Sequence, residues 1–452
     1  MDPAPVPAAD PQAPRTRRDL HSIVADGVSF SAMVGLGETY VPAFALAAGL
    51  GEVVAGLIAT LPMLAGALFQ LVTPWAVHRL RSYRRWVVLC AALQALSFLP
   101  LIAGALLGRI GLGWVAAATV AYWGFGMATS PAWNAWVTSL VPEPIRARFF
   151  ASRTRAAHAT LFVAILLGGL LLDRGRAASA EFAAFGLLFV AAMAARLLSA
   201  WFLSRQSEAP DLAAGHRALG PGAIARSIRD AGSGRVLAYL LGMHAAVNVA
   251  APYFTPYMLG PLDLSYAEFM LLTAAAFLAR LLVLPVLGSI AHVQGTRPIL
   301  WWGAVGIVPL PVLWLVSDAF AYLFALQIFA GAAWAALEFA TLLTFFEGIP
   351  EDDRTSVLSA FNLASAASIG FGALCGSLLF VSFDGTAYAW IFCVSSAGRL
   401  LVLGVLRGIH PARRLLAMRL RALAVRPSAG AIERPILASV GEEEGAAKPP
   451  GA

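Results

Sequence analysis

Charge, and lysine above all, is what this chain lacks. Only 13% of the 452 residues are Asp, Glu, Lys or Arg, where a soluble domain carries roughly a quarter. Lys448 is the single lysine, so 31 of the 32 basic residues are arginine. Cysteine is scarce too: Cys90, Cys375 and Cys393 sit inside apolar runs without metal-ligand spacing and read as small apolar fillers. No Walker A phosphate loop occurs, which argues against ATP drive, and no cofactor is implied. The net charge of +7 is dispersed over short segments rather than gathered in one patch, so a nucleic-acid partner is a poor reading of it.

What the chain has in abundance is apolar length. Hydrophobic residues make up 59% of it, and the mean hydropathy is +0.75. Apolar stretches of about 18 residues or more read as spanning helices, because a backbone crossing hydrocarbon must satisfy its own hydrogen bonds. Twelve are predicted, at about 22–46, 51–76, 86–107, 112–138, 156–172, 178–203, 235–259, 266–291, 298–316, 319–346, 356–381 and 386–407. The fold class is therefore an all-α polytopic membrane protein. Residues 1–20 are Pro/Ala-rich and read as a disordered lead-in. Residues 204–234, the longest internal connection, carry Gly215, Gly220, Pro221, Gly222, Gly232 and Gly234 and read as a linker. The tail 408–452 interleaves Arg413, Arg414, Arg419 and Arg421 with Leu415, Leu416, Met418 and Leu420, as either a basic helix on an anionic leaflet or a solvated tail.

Two motifs recur about 200 residues apart. Pro142-Glu143-Pro144-Ile145-Arg146 returns as Pro350-Glu351-Asp352-Asp353-Arg354, and Phe189…Arg196-Leu197-Leu198 as Phe392…Arg399-Leu400-Leu401. His78 and His292 form a looser third pair, each after the second apolar segment of its half. Such echoes divide the membrane region into two homologous six-helix bundles, 21–203 and 235–407. Arginine also orients it. With both termini cytoplasmic, the inner side holds Arg15, Arg17, Arg18, Arg79, Arg81, Arg84, Arg85, Arg146, Arg148, Arg153 and Arg155, whereas the outer loops hold only Arg109, Arg174 and Arg176.

Six plus six helices around a central linker, with basic inner loops, resemble the major facilitator superfamily over roughly residues 20–407. The superfamily motif between helices 2 and 3, Gly-x-Leu-Ala-Asp-Arg-x-Gly-Arg-Lys/Arg, is matched best between helices 8 and 9, by Gly288-Ser289-Ile290-Ala291-His292-Val293-Gln294-Gly295-Thr296-Arg297. The first copy, Pro74-Trp75-Ala76-Val77-His78-Arg79-Leu80-Arg81-Ser82-Tyr83-Arg84, keeps the basic end and loses both glycines. Histidine stands in both copies where the family has a gating Asp, which either weakens that gate or makes it pH-sensitive. The resemblance implies an inner gate of His78, Arg79, Glu143, Arg146, Arg196, His292, Arg297, Glu351, Arg354 and Arg399. It also implies that helices 1, 4, 7 and 10 line a central cavity, to which Asn134, His244, Asn248 and Trp334 are assigned. Pro252 and Pro256 would break helix 7 there, and Trp133 and Trp136 are further candidates for stacking on a solute.

Ionisable residues deep in spans are costly and usually face a cavity or a partner. Glu38, Arg280 and Glu338 are the ones that matter, Asp26 lying nearer the inner end. Glu38 shares its helix face with the small residues Gly35 and Ser31. Arg280 and Glu338 lie at comparable depths, roughly 16 and 12 Å, and would form a buried ion pair whose partners could exchange during a cycle. The reading is a secondary transporter of the cytoplasmic membrane, a monomer moving a small organic solute by alternating access. Coupling to protons would run through Glu38 or Glu338. The alternatives are a non-transporting sensor on the same fold, or a membrane-embedded lipid-modifying enzyme.

Overall fold

The computed structural model describes residues 13–208, 234–348, 354–383 and 385–406, and these are folded into twelve helical passages without a strand. Ten of the stretches are long and apolar enough to cross a membrane. The first passage, α1, runs as Ala13–Leu36, a 3-10 turn Glu38–Tyr40 and Val41–Ala47. Passage α2 is Glu52–Ile58, Leu61–Gln70 and Thr73–Leu80; α3 is Tyr83–Leu96 and Leu99–Leu107. Three continuous helices follow: α4 (Leu112–Leu140), α5 (Glu143–Ala177) and α6 (Glu181–Ser204). The second half holds α7 (Gly234–Ala250, a 3-10 turn Ala251–Tyr253, Phe254–Leu259), α8 (Tyr266–Gln294) and α9 (Thr296–Gly306, Leu310–Leu313). It ends with α10 (Phe320–Gly348), α11 (Arg354–Ser382) and α12 (Ala387–Leu403 and a 3-10 turn Gly404–Leu406).

Many interruptions follow proline. Pro62 and Pro74 each open a new segment of α2, Pro100 reopens α3, and Pro252 sits in the 3-10 turn of α7, as its sequence foretells. Three differences from the sequence reading stand out. Helix α1 begins at Ala13, inside the stretch read as disordered. Helix α5 starts at Glu143, thirteen residues before the predicted span. The ninth passage is two short helices, separated around Pro309 and Pro311, rather than one continuous span.

The two halves pack by the same rule. In the first, α1 lies on α5 and α6, and α4 lies on α2 and α3; in the second, α7 lies on α11 and α12, and α10 on α8 and α9. The halves then meet through α5 against α8 and α2 against α11, which are themselves symmetry-related pairs. Lipid supplies no hydrophobic drive for helix association, so close backbone approach through small residues must hold these layers. Gly372 and Gly376 of α11 face the carbonyls of Ala245 and Val249 of α7 so closely that an added Cβ would stand 2.1 and 2.3 Å from them.

The ends of the two halves opposite the N-terminus are in contact. Asp173 Oδ2 accepts from the amide of Ala267 at 3.0 Å, and the Tyr266 hydroxyl donates to Glu181. Gly56 of α2 lies against Pro252 of α7, and the Glu52 carboxylate sits beside Gly260. These contacts join the two halves at that end.

Replacing Gly372 with Val is expected to cost about 1–3 kcal/mol by overpacking, read as a lowered melting temperature of the purified protein. Gly370→Ala is the control: its added methyl would meet only Leu61 and Leu64 side chains, at 3.7 and 3.6 Å, and should leave the melt unchanged.

Candidate functional site: a cavity between the halves and two buried ion pairs

A cavity of about 180 Å³ lies between the halves. Helix α1 contributes Glu38, which falls in the 3-10 turn after Gly37 and lines the cavity. Tyr122 of α4 donates its hydroxyl to Glu38 Oε2 at 2.6 Å, holding the carboxylate at the cavity wall. Trp123 and Thr119 of α4 line the same side. From the second half come Val247 and Thr255 of α7, Gln327 and Trp334 of α10, and Arg280 of α8, with Phe254 and Trp314 adding aromatic surface. The cavity is thus largely apolar and aromatic, with the Glu38 carboxylate on one wall and the Arg280 and Arg399 guanidiniums on the other, a lining suited to a small organic solute.

Arg280 and Glu338 are paired as the sequence reading foresees. Arg280 Nη1 stands 3.0 Å from Glu338 Oε1 and donates to Oε2 at 3.1 Å. Glu338 is not itself on the cavity wall; it holds Arg280 from behind. The two side chains retain 13% and 23% exposure, and of the two it is Arg280 that lines the cavity. His158 of α5 stacks on Phe277 at 5.1 Å, one turn of α8 from Arg280, and brings a titratable ring to the α5–α8 seam.

The second pair was not foreseen. Asp26 is fully buried, with Arg153 Nη2 at 3.7 Å from its Oδ2 and no exposure on either side chain. Trp133 donates to the same oxygen at 3.2 Å, and Ser199 to Oδ1 at 2.6 Å. Arg196 donates to Ser199 at 2.7 Å and to Gln94 Oε1 at 2.8 Å. The guanidinium of Arg153 lies 4.5 Å from the Trp133 ring centre, and that of Arg196 lies 5.0 Å from Phe30. One carboxylate and two guanidiniums thereby join α1, α3, α4, α5 and α6. Asp26, set aside in sequence as too near the helix end, is the hub of the first half.

Several assignments change place. Arg196, assigned to the inner gate, is fully buried in this network. Its repeat partner Arg399 is also buried and donates to the Ile307 carbonyl at 2.8 Å, with part of its surface on the cavity. Asn134, His244 and Asn248 are buried and absent from the cavity wall, Asn248 donating to the His244 carbonyl at 2.8 Å. The small-residue approach of α7 and α11 turns Asn248 toward Gly372 instead. Trp133 serves Asp26, and Trp136 donates to the Ser207 carbonyl at 2.8 Å, so neither is offered to a solute. Trp334 does line the cavity. His78 and Arg79 are exposed at the end of α2. Glu143, Arg146, His292, Arg297 and Arg354 have described helical backbone, but their side chains lie outside the described residues; Glu351, the linker 209–233 and the tail from 407 lie outside them entirely.

No family model and no curated protein matches the sequence. The fold is nevertheless known among solved structures. A POT family peptide transporter, crystallised in an autoinhibited form, superposes with a TM-score of 0.67 at 12% identity, covering 90% of this chain and all of its own. The nucleoside transporter NupG gives 0.66 at 11% identity over 86% of this chain and 99% of its own. The E. coli xylose transporter XylE, in a partially occluded inward-open conformation, gives 0.61 at 13% identity over 88% and 100%. The chain is a multi-pass membrane protein with the major facilitator fold.

Asp26→Asn strips Arg153 of its buried counter-charge and is expected to cost about 3–5 kcal/mol of stability. Adding Arg153→Gln should recover part of that loss, giving a positive coupling in a double-mutant cycle read by thermal melting. Strictly additive losses would mean that the two charges are not energetically linked.

Proposed function

We propose that this protein is a secondary active transporter that moves a small organic solute across the cytoplasmic membrane by alternating access, coupled to protons at Glu338. The observation that carries this reading is Arg280, on the wall of a cavity between two symmetry-related halves and held there by a carboxylate within reach of solvent. A proton arriving on Glu338 cancels the charge that holds Arg280. The freed guanidinium then turns to an acceptor on the solute, so proton and solute bind together. Glu38, fixed by Tyr122 on the opposite wall, offers a site for a donor or cationic group of the same solute. Aromatic surface from Trp123, Trp314 and Trp334 suits a planar or apolar body between them.

The distribution of arginine supports an N-terminus in the cytoplasm, so the end at which Asp173 and Glu181 join the halves would be the outer one. That nucleoside, xylose and peptide transporters share the fold supports transport as the activity, although fold alone leaves the solute open. A single polypeptide contains the whole cavity, in keeping with a monomer. A second reading, a sensor that binds a solute without moving it, draws on the two histidines that replace the gating acid.

The test is a thermal-shift screen of the purified protein against amino acids, peptides, sugars, nucleosides and organic cations at pH 5.5 and 7.5, since a ligand of the folded state raises the melting point by mass action. A hit should stabilise the wild type more at pH 5.5, because low pH supplies the proton that releases Arg280. In Glu338→Gln the same hit should stabilise equally at both pH values. A hit equally pH-dependent in that variant would remove Glu338 as the coupling group. Binding without uptake of the hit into proteoliposomes under an imposed pH gradient would favour the sensor.

A further inference from the structure

Away from the central cavity, where α1 begins and α6 ends, an open groove is lined by Arg17, Arg18, His21, Ser22, Trp201, Phe202 and Arg205. Arg17, Arg18, His21, Trp201 and Arg205 are all exposed. Three guanidiniums and an imidazole therefore stand together at one end of the bundle, on its outer surface.

These charges are left uncompensated by the carboxylates nearby. Asp19, on α1 between the arginines and His21, is turned inward; it is 4% exposed and accepts from the amide of Ser207 at 3.0 Å. Glu208 reaches across to the start of α3, where it accepts from the Ser82 hydroxyl and the amides of Tyr83 and Arg84. Neither of the ion pairs Arg153–Asp26 and Arg280–Glu338 involves the groove, and among the described residues none of its arginines is tied to an acid.

The groove also has an apolar side. The Arg205 guanidinium stacks on the Trp201 ring at 4.8 Å, which sets that cation beside an indole, the side chain that favours the headgroup depth of a bilayer. From Trp201, 48% exposed, an outward-facing stripe continues along α6 through Leu198 and Leu197, 47% and 40% exposed. A ligand seated here would meet cations at one end and a lipid-facing apolar track at the other. A freely soluble anion would use only the first of these features.

We propose that this groove is a binding site for an anionic glycerophospholipid, its phosphate among Arg17, Arg18 and Arg205 and an acyl chain along Trp201, Leu198 and Leu197. Arginine is suited to the role because its planar fork engages phosphate oxygens in pairs. An occupied site would bridge α1 to α6, the two helices already joined below it through Asp26 and Ser199.

The experiment is native mass spectrometry of the full chain released from detergent, titrated with phosphatidylglycerol and, separately, with phosphatidylcholine of matched chain length. The variant is Arg17→Gln/Arg18→Gln/Arg205→Gln, three exposed changes whose melting temperature is checked against wild type. An equal loss of charge at the far end, Arg109→Gln/Arg174→Gln/Arg176→Gln, is the control. The expected result is one retained phosphatidylglycerol on the wild type and the control, with apparent affinity at least tenfold lower in the groove variant and no matching phosphatidylcholine adduct. Equal retention of phosphatidylcholine, or an unchanged adduct in the groove variant, would overturn the proposal. Displacement of the lipid by inorganic phosphate at the same concentration would overturn it as well, making the groove a seat for a soluble anion.

Discussion

A charge placed among hydrocarbon chains must find an opposite charge or a polar cavity, because neither lipid nor apolar helix can replace its water. That constraint organises both halves of this molecule, and it does so in two different ways. In the first half, Asp26 and Arg153 are sealed from solvent and embedded in hydrogen bonds and aromatic faces from five helices. In the second, Arg280 and Glu338 are joined by short contacts, with Arg280 on the cavity wall and Glu338 behind it. A sealed pair acts as a clasp. A pair with one member on a cavity wall costs less to separate when a group in the cavity replaces the lost partner.

The asymmetry is informative because the backbones are so similar. The same helix pairings recur in each half, and Arg196 and Arg399 occupy matching places in the repeat. Yet Arg196 closes a network that reaches a carboxylate, whereas Arg399 meets the Ile307 carbonyl and borders the cavity. Position 361, in register with Arg153 by the 208-residue repeat, is Phe361. The first half thus centres on a buried ionic core, whereas the second places Arg280 and Arg399 at the cavity. Contacts at the far end, through Asp173, Glu181 and the α2–α7 approach at Gly56, join the two halves without drawing on either pair.

Much of this was legible in the chain. Apolar length located the passages, the repeats located the halves, and Pro252 located the break in α7. Cost alone picked out Glu38, Arg280 and Glu338, since nothing but a partner or a cavity accounts for such residues in mid-span. What escaped was set by geometry that hydropathy does not carry. Helix α5 extends well past its apolar stretch, so Arg153 was read as loop charge when it lies in the interior, paired across the bundle. Asn134, His244 and Asn248 lie on the expected helices but are buried off the cavity wall, Asn248 where α7 packs on Gly372 of α11. Tyr122 and Gln94 drew no notice because neither is costly until its partner is known.

The central claim is that the two halves move against each other about the cavity. Double electron–electron resonance reads this directly, with spin labels at Gly113→Cys and Ala319→Cys, one on the far end of each half, and Cys90, Cys375 and Cys393 replaced by serine. The account predicts two distance populations, the longer one belonging to an open far mouth, with proportions that change between pH 5.5 and 7.5 and change again in Glu338→Gln. A single distance distribution, identical at both pH values and in the variant, would contradict it.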